Sequence, residues 1–139
     1  MYPYTYHVSL RIFHPVADPH TFTDVLGMKP SSTWRVDERR TTLKGKALKG
    51  HQKESFWCSR LKVPDDSDFP GFVSMFVERL AQHRVLFREI RNNGGRSEFY
   101  VSLSPGGSCL GDILGHDLLK ALGQLDMDLS LDVTYALSA

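Results

Sequence analysis

Residues 18–35, Asp-Pro-His-Thr-Phe-Thr-Asp-Val-Leu-Gly-Met-Lys-Pro-Ser-Ser-Thr-Trp-Arg, read as one short helix followed by a return strand. Asp18 is suited to accept from the free N–H groups of a first turn. Pro19 fits the first helical position, where its missing N–H costs nothing, and Gly27 fits the left-handed residue that ends a helix. Phe22, Val25 and Leu26 then share one face. Pro30 blocks continuation, and beyond Ser31 and Ser32 an extended segment places Trp34 and Val36 on one side, Thr33 and Arg35 on the other. Parity with aliphatic neighbours predicts that Trp34, like Trp57, anchors the core on a helix-covered face. The stretch specifies a fold and carries no visible chemistry.

Upstream, Tyr4, Tyr6, Val8, Leu10 and Ile12 alternate with Thr5, His7, Ser9 and Arg11, the period-two pattern of a half-buried strand. Downstream, residues 37–54 are polar and basic with two copies of Leu-Lys-Gly, at 43–45 and 48–50, and are expected to form a mobile, hairpin-like excursion. A strand over 56–63 has Trp57, Leu61 and Val63 on one side and Cys58, Arg60 and Lys62 on the other. Residues 64–68 form an acidic helix start suited to the positive end of the helix dipole. Phe69, Phe72, Val73, Phe76, Val77 and Leu80 make one apolar stripe at helical spacing. Past Gln82 the register slips to Leu86, Phe87 and Ile90, so a break and a second short helix to about Asn92 are predicted, ended by Asn93-Gly94-Gly95.

Phe99, Val101 and Leu103 alternate with Glu98, Tyr100, Ser102 and Ser104 in another strand. A turn at 105–108 leads to an expected short strand over 109–114. A helix with Leu118, Leu119, Leu122 and Leu125 follows, then a strand with Met127, Leu129, Leu131, Val133 and Tyr135 facing one way. The polar faces of three of the longest strands imply that helices cover only one side, because a sheet covered on both would read as near-continuous apolar runs. The expected fold is therefore α+β, a largely antiparallel six-stranded sheet with helices on one face and ferredoxin-like β-α-β-β-α-β character.

The 139 residues suit one domain, 1–139, able to bury roughly two-thirds of its unfolded surface. Apolar content of 41% with 24% charged residues argues against disorder and against a membrane span. The opening Met-Tyr-Pro-Tyr-Thr-Tyr-His lacks the basic and apolar regions of a signal peptide, and Cys58 and Cys109 are too far apart for a Cys-x-x-Cys site, so a reducing cytoplasm is expected. Net charge is only +1, but residues 35–62 hold nine basic and three acidic groups, whereas residues 112–139 hold five Asp and one Lys. That reads as opposite-sign patches on one surface; a nucleic-acid footprint normally brings a much higher pI.

The six histidines show no metal-ligand spacing, no Gly-x-Ser-x-Gly elbow is present, and the Gly-Gly pairs sit in turns rather than ahead of a helix. No catalytic residue, metal or cofactor is assigned. Two candidate binding sets remain. One is the polar sheet face, where His7, Arg11, Tyr100, Ser102, Asp128 and Asp132 combine donors and acceptors more richly than a solvated sheet. The other is an anion site from Lys44, Lys46, Lys49 and Lys53 with the helical stripe Arg84, Arg88 and Arg91. The leading expectation is a small non-enzymatic binding or protein-interaction module, engaging a protein partner or a second copy of itself. An enzyme or small-ligand binder on the polar face, and nucleic-acid or anion binding through residues 37–54, are the alternatives.

Leu26-Gly27-Met28-Lys29-Pro30 followed by Thr33-Trp34-Arg35, the strand with Trp57, and the ending Leu-Gly-Gln-Leu-Asp-Met-Asp-Leu-Ser-Leu-Asp-Val-Thr-Tyr resemble the bacterial family called domain of unknown function 4279. The resemblance covers nearly the whole chain. It departs after Trp34, where Val36-Asp37-Glu38 stands in place of the glycine frequent in relatives. It implies a bacterial, cytoplasmic, single-domain protein and no particular activity.

Overall fold

The computed structural model describes residues 4–42, 44–106 and 111–134. The first strand, β1 (Tyr4–His14), follows the alternation, with Val8, Leu10 and Ile12 fully buried and the intervening residues half-buried or exposed. Helix α1 (His20–Leu26) starts where Asp18 Oδ1 accepts from the His20 backbone N–H at 3.0 Å and ends at Gly27, whose φ of 66° is left-handed. Phe22 and Leu26 are buried, but Val25 is exposed, because a helix of two turns offers only a narrow inward stripe.

Strand β2 (Ser32–Trp34) is short, and residues 37–54 form a hairpin of β3 (Arg39–Thr41) and β4 (Ala47–His51). Its turn is closed by Gly45 N–H to Thr42 O and by Thr42 N–H to Lys46 O, with Gly45 left-handed at φ 84°. The hairpin-like expectation is met, although Leu43 lies outside the described residues.

Strand β5 (Ser55–Leu61) leads to α2 (Phe69–Leu80), capped by Asp68, whose carboxylate accepts from Gly71 N–H at 2.8 Å. Every member of the expected apolar stripe is buried. A single 3-10 turn over Ala81–His83 breaks the register as anticipated and α3 (Arg84–Asn92) continues on a rotated face. After Gly94 and Gly95 come β6 (Arg96–Pro105), α4 (His116–Gln124) and β7 (Met127–Val133).

The main sheet runs β2-β5-β1-β6-β7, and β3-β4 stands apart as a second sheet. The expectation of six strands is corrected to five in a mixed sheet, antiparallel at three of its four pairings and parallel between β6 and β7. Residues 111–114 are not a strand, while 107–110, including Cys109, lie outside the described residues, as does Tyr135. β7 is parallel to β6, with Phe99 opposite Leu129 and Val101 opposite Leu131. The cause is the connection itself: a segment of some twenty residues containing a helix carries the chain back to the starting end, as a parallel pair requires. β1 is antiparallel to both neighbours, and β5 stands between β1 and β2, so β1-α1-β2 is a split β-α-β unit.

All four helices meet the same side of the sheet. Thr23 of α1 receives the Trp57 indole N–H at 2.9 Å, Phe76 of α2 makes an edge-to-face contact with Phe99, and Phe87, Ile90, Leu118 and Leu122 of α3 and α4 join the same core. Trp57 is the predicted anchor, with no exposed surface. Trp34 is not. Its partner across the β2–β5 ladder is Phe56, and Phe56 faces away from the helices because its neighbour Trp57 faces toward them. Trp34 therefore stands half-buried on the opposite side, stacked on Phe56 with centroids 4.4 Å apart.

Candidate functional site

That opposite side of the sheet carries the candidate site. Register places Cys58, Arg11, Glu98 and Asp128 in one row across β5, β1, β6 and β7. Arg60, Ser9, Tyr100 and Ser130 form the next row, and His7, Ser102 and Asp132 the third. All six residues expected on the polar face, His7, Arg11, Tyr100, Ser102, Asp128 and Asp132, thus lie on it together. No helix packs there among the described residues.

At its centre the Arg11 guanidinium lies 4.6 Å from the Tyr100 ring centroid, 5.3 Å from Phe13 and 5.4 Å from Phe56. Its Nε is 3.5 Å from Glu98 Oε1, an ion pair without hydrogen-bond geometry. Such stacking on aromatic faces contributes on the order of 0.5 to 2 kcal/mol and pins a long side chain flat on the sheet. Glu98 also accepts from the Ser130 hydroxyl, and the Tyr100 hydroxyl donates to Asp132. That hydrogen bond to a carboxylate, more than burial, raises the Tyr100 pKa above the ordinary phenol value. Cys58 is free and half-buried beside Ser9, and burial pushes its thiol up, away from a reactive thiolate.

One end of the face is aromatic. Trp34 stacks on Phe56, Phe56 lies 5.0 Å from Phe13, and the Arg96 guanidinium sits 3.9 Å over Phe13 while reaching Glu54 at 3.3 Å. Phe13, Phe56, Trp34 and Arg96 join the polar-face residues expected from the sequence. Parity held the signal for Phe13 and Phe56, which continue the series Ser9, Arg11 and Cys58, Arg60 on the polar face. Trp34 joins them only through the pairing of β2 with β5.

The second candidate set is dispersed. Arg88 and Arg91 both turn onto Asp126, at 2.5 and 4.0 Å, and Asp126 occupies the left-handed turn between α4 and β7. Arg84 lines a groove of about 200 Å³ between α2 and α4. Lys44, Lys46 and Lys49 belong to the β3-β4 hairpin, and Lys53 lines a separate concavity of about 380 Å³ with Trp34, Arg40, His51 and Glu54. No contact among the described residues joins the lysines to the arginines.

Among the described residues no three His, Cys, Asp or Glu side chains are grouped to hold a metal ion, and no helix is long and apolar enough to cross a membrane. No curated protein and no solved structure matches the chain. A family model does match, over residues 4–136: the chain belongs to the family described as Domain of unknown function (DUF4279).

Proposed function

We propose that this chain is a binding module whose open sheet face engages a protein surface. The observation that carries the reading is the composition of that face, a contiguous Trp34, Phe13, Arg96, Arg11 and Tyr100 patch laid over the buried Phe56 and rimmed by charged residues. Trp, Tyr and Arg are the residues that dominate interface energetics, since each offers a large, stiff contact area with a polar tip. Here the arginines are already held flat against aromatic rings, so little side-chain entropy is lost on docking. The charges around the patch set register and partner choice rather than raw affinity.

The test is affinity capture and cross-linking from a nuclease-treated lysate of the native host, comparing the wild type with Arg11→Glu and with a hairpin control, Lys49→Glu. The expected result is a partner held by the wild type and the control and lost by Arg11→Glu at a temperature well below the lowered melting temperature of that variant, which gives up its contacts with Glu98 and Tyr100. Capture that is equal for all three, or that nuclease abolishes, overturns the proposal.

A further inference from the structure

Charge is not evenly spread over the open face. On the β5 side stand Arg60 and, just past the strand, Lys62, both exposed and in no ion pair among the described residues. On the β7 side stand Asp128, likewise without an ion pair, and Asp132, whose only described hydrogen bond is to the neutral Tyr100 hydroxyl. Between them, Arg11 and Glu98 balance each other on β1 and β6. The face is thus positive along one edge and negative along the other, with the opposite edges about 14 Å apart at the usual strand spacing.

Such a gradient is self-complementary in one orientation. A two-fold axis running along the strands, between β1 and β6, turns a second copy over so that its β7 lies above β5 of the first and its β6 above β1. Position along the strand is preserved by this operation. Arg60 shares a row with Ser130, so it falls between Asp128 and Asp132 of the other copy; Arg11 falls near Glu98, and Phe13 near the Arg96 guanidinium. An axis across the strands instead lays β5 on β5 and β7 on β7, setting like charges together. Only the first arrangement satisfies the self-complementarity of a symmetric pair.

We infer that the partner for this face is a second copy of the chain, stacked face to face about an axis parallel to the strands. The inference rests on the reading of the open face as an interaction surface. Four overlapping strands of about seven residues bury roughly 1,000 Å² across both copies, the lower bound for a specific interface, so the dimer is weak and concentration-dependent.

Sedimentation of the full chain tests it with two variants, Arg60→Glu with Lys62→Glu, and Asp128→Lys with Asp132→Lys. All four positions are exposed, so folding is preserved and melting temperature verifies it. Each variant alone should dimerise at least tenfold more weakly than the wild type, whereas an equimolar mixture should form heterodimers within about threefold of wild-type affinity, because a wholly positive face then meets a wholly negative one. Raising salt from 50 to 500 mM should weaken the wild-type dimer by several-fold, a readout needing no variant. A wild type monomeric at 0.5 mM, variants that dimerise unimpaired, or a mixture no better than its components overturns the inference. If the wild type is monomeric while Arg11→Glu still loses a captured protein, only the self-association fails; if neither is seen, the reading of the face fails with it.

Discussion

Replacing each tryptophan in turn tests which side of the sheet it occupies. Trp57 has no exposed surface, and its indole N–H donates to Thr23 Oγ1 at 2.9 Å. Trp57→Ala opens an enclosed cavity under α1 and is expected to cost about 3 to 5 kcal/mol. Trp34 is half-buried and stacked on Phe56 at an interplanar angle of 26°. Losing the roughly two-thirds of a ~200 Å² side chain that is covered, at ~25 cal/mol per Å², removes ~3.3 kcal/mol, and the stack adds about 1. Regained rotamer freedom returns ~0.5 to 1 kcal/mol, and no closed void forms on an open face. Trp34→Ala should therefore cost about 3 to 4 kcal/mol, in the lower part of the range expected for Trp57→Ala. Urea unfolding followed by far-ultraviolet circular dichroism measures both, in dilute protein. The single-tryptophan forms provide an independent readout: iodide should quench Trp34 emission in Trp57→Phe several-fold more than Trp57 emission in Trp34→Phe. Equal quenching would place both rings on the helix-covered side and refute the assigned register.

His14 is buried, and its Nδ1 accepts from the Val16 and Ala17 backbone N–H groups at 3.1 and 2.9 Å, so burial holds its pKa below the ordinary value near 6.5. The unfolded chain then binds the proton more readily than the native one, so stability is full above about pH 6.5 and falls as pH drops toward the folded pKa; His14→Leu should flatten that part of the wild-type stability curve. A Cβ on Gly95 lies 2.6 Å from the Phe13 carbonyl oxygen and 2.8 Å from Ile90 Cγ2, so Gly95→Ala should destabilise by about 1 to 3 kcal/mol in thermal or urea unfolding. In α4, where a Cβ meets nothing within 4 Å, Gly123→Ala should instead stabilise by about 0.4 to 1 kcal/mol.

Much of this fold is local and therefore readable along the chain. The caps at Asp18, Gly27 and Asp68, the α2 stripe and its break, and the alternation of β1 and β6 each depend on residues within one or two turns of each other. The six polar-face residues were legible for the same reason, since strand parity assigns a side without knowledge of the neighbours. Errors arose where a short element left parity ambiguous. Val25 lies in a helix of seven residues, too short for every apolar position to reach the core, and is exposed.

What the tertiary structure alone decided is which strands are neighbours. The alternation in β6 and β7 is the same whether they run parallel or antiparallel, and only the crossover through α4 makes them parallel. Trp34 carries no periodic signal in a strand of three residues, and its side follows from pairing with Phe56. The same pairings bring Arg11 among Phe13, Phe56 and Tyr100 and turn Arg88 and Arg91 onto Asp126, contacts between residues up to 89 positions apart. A linear sequence encodes which side each residue faces through short-range sterics. The identity of the side chain standing opposite is set by the lowest-energy packing of the whole core, to which every element contributes at once.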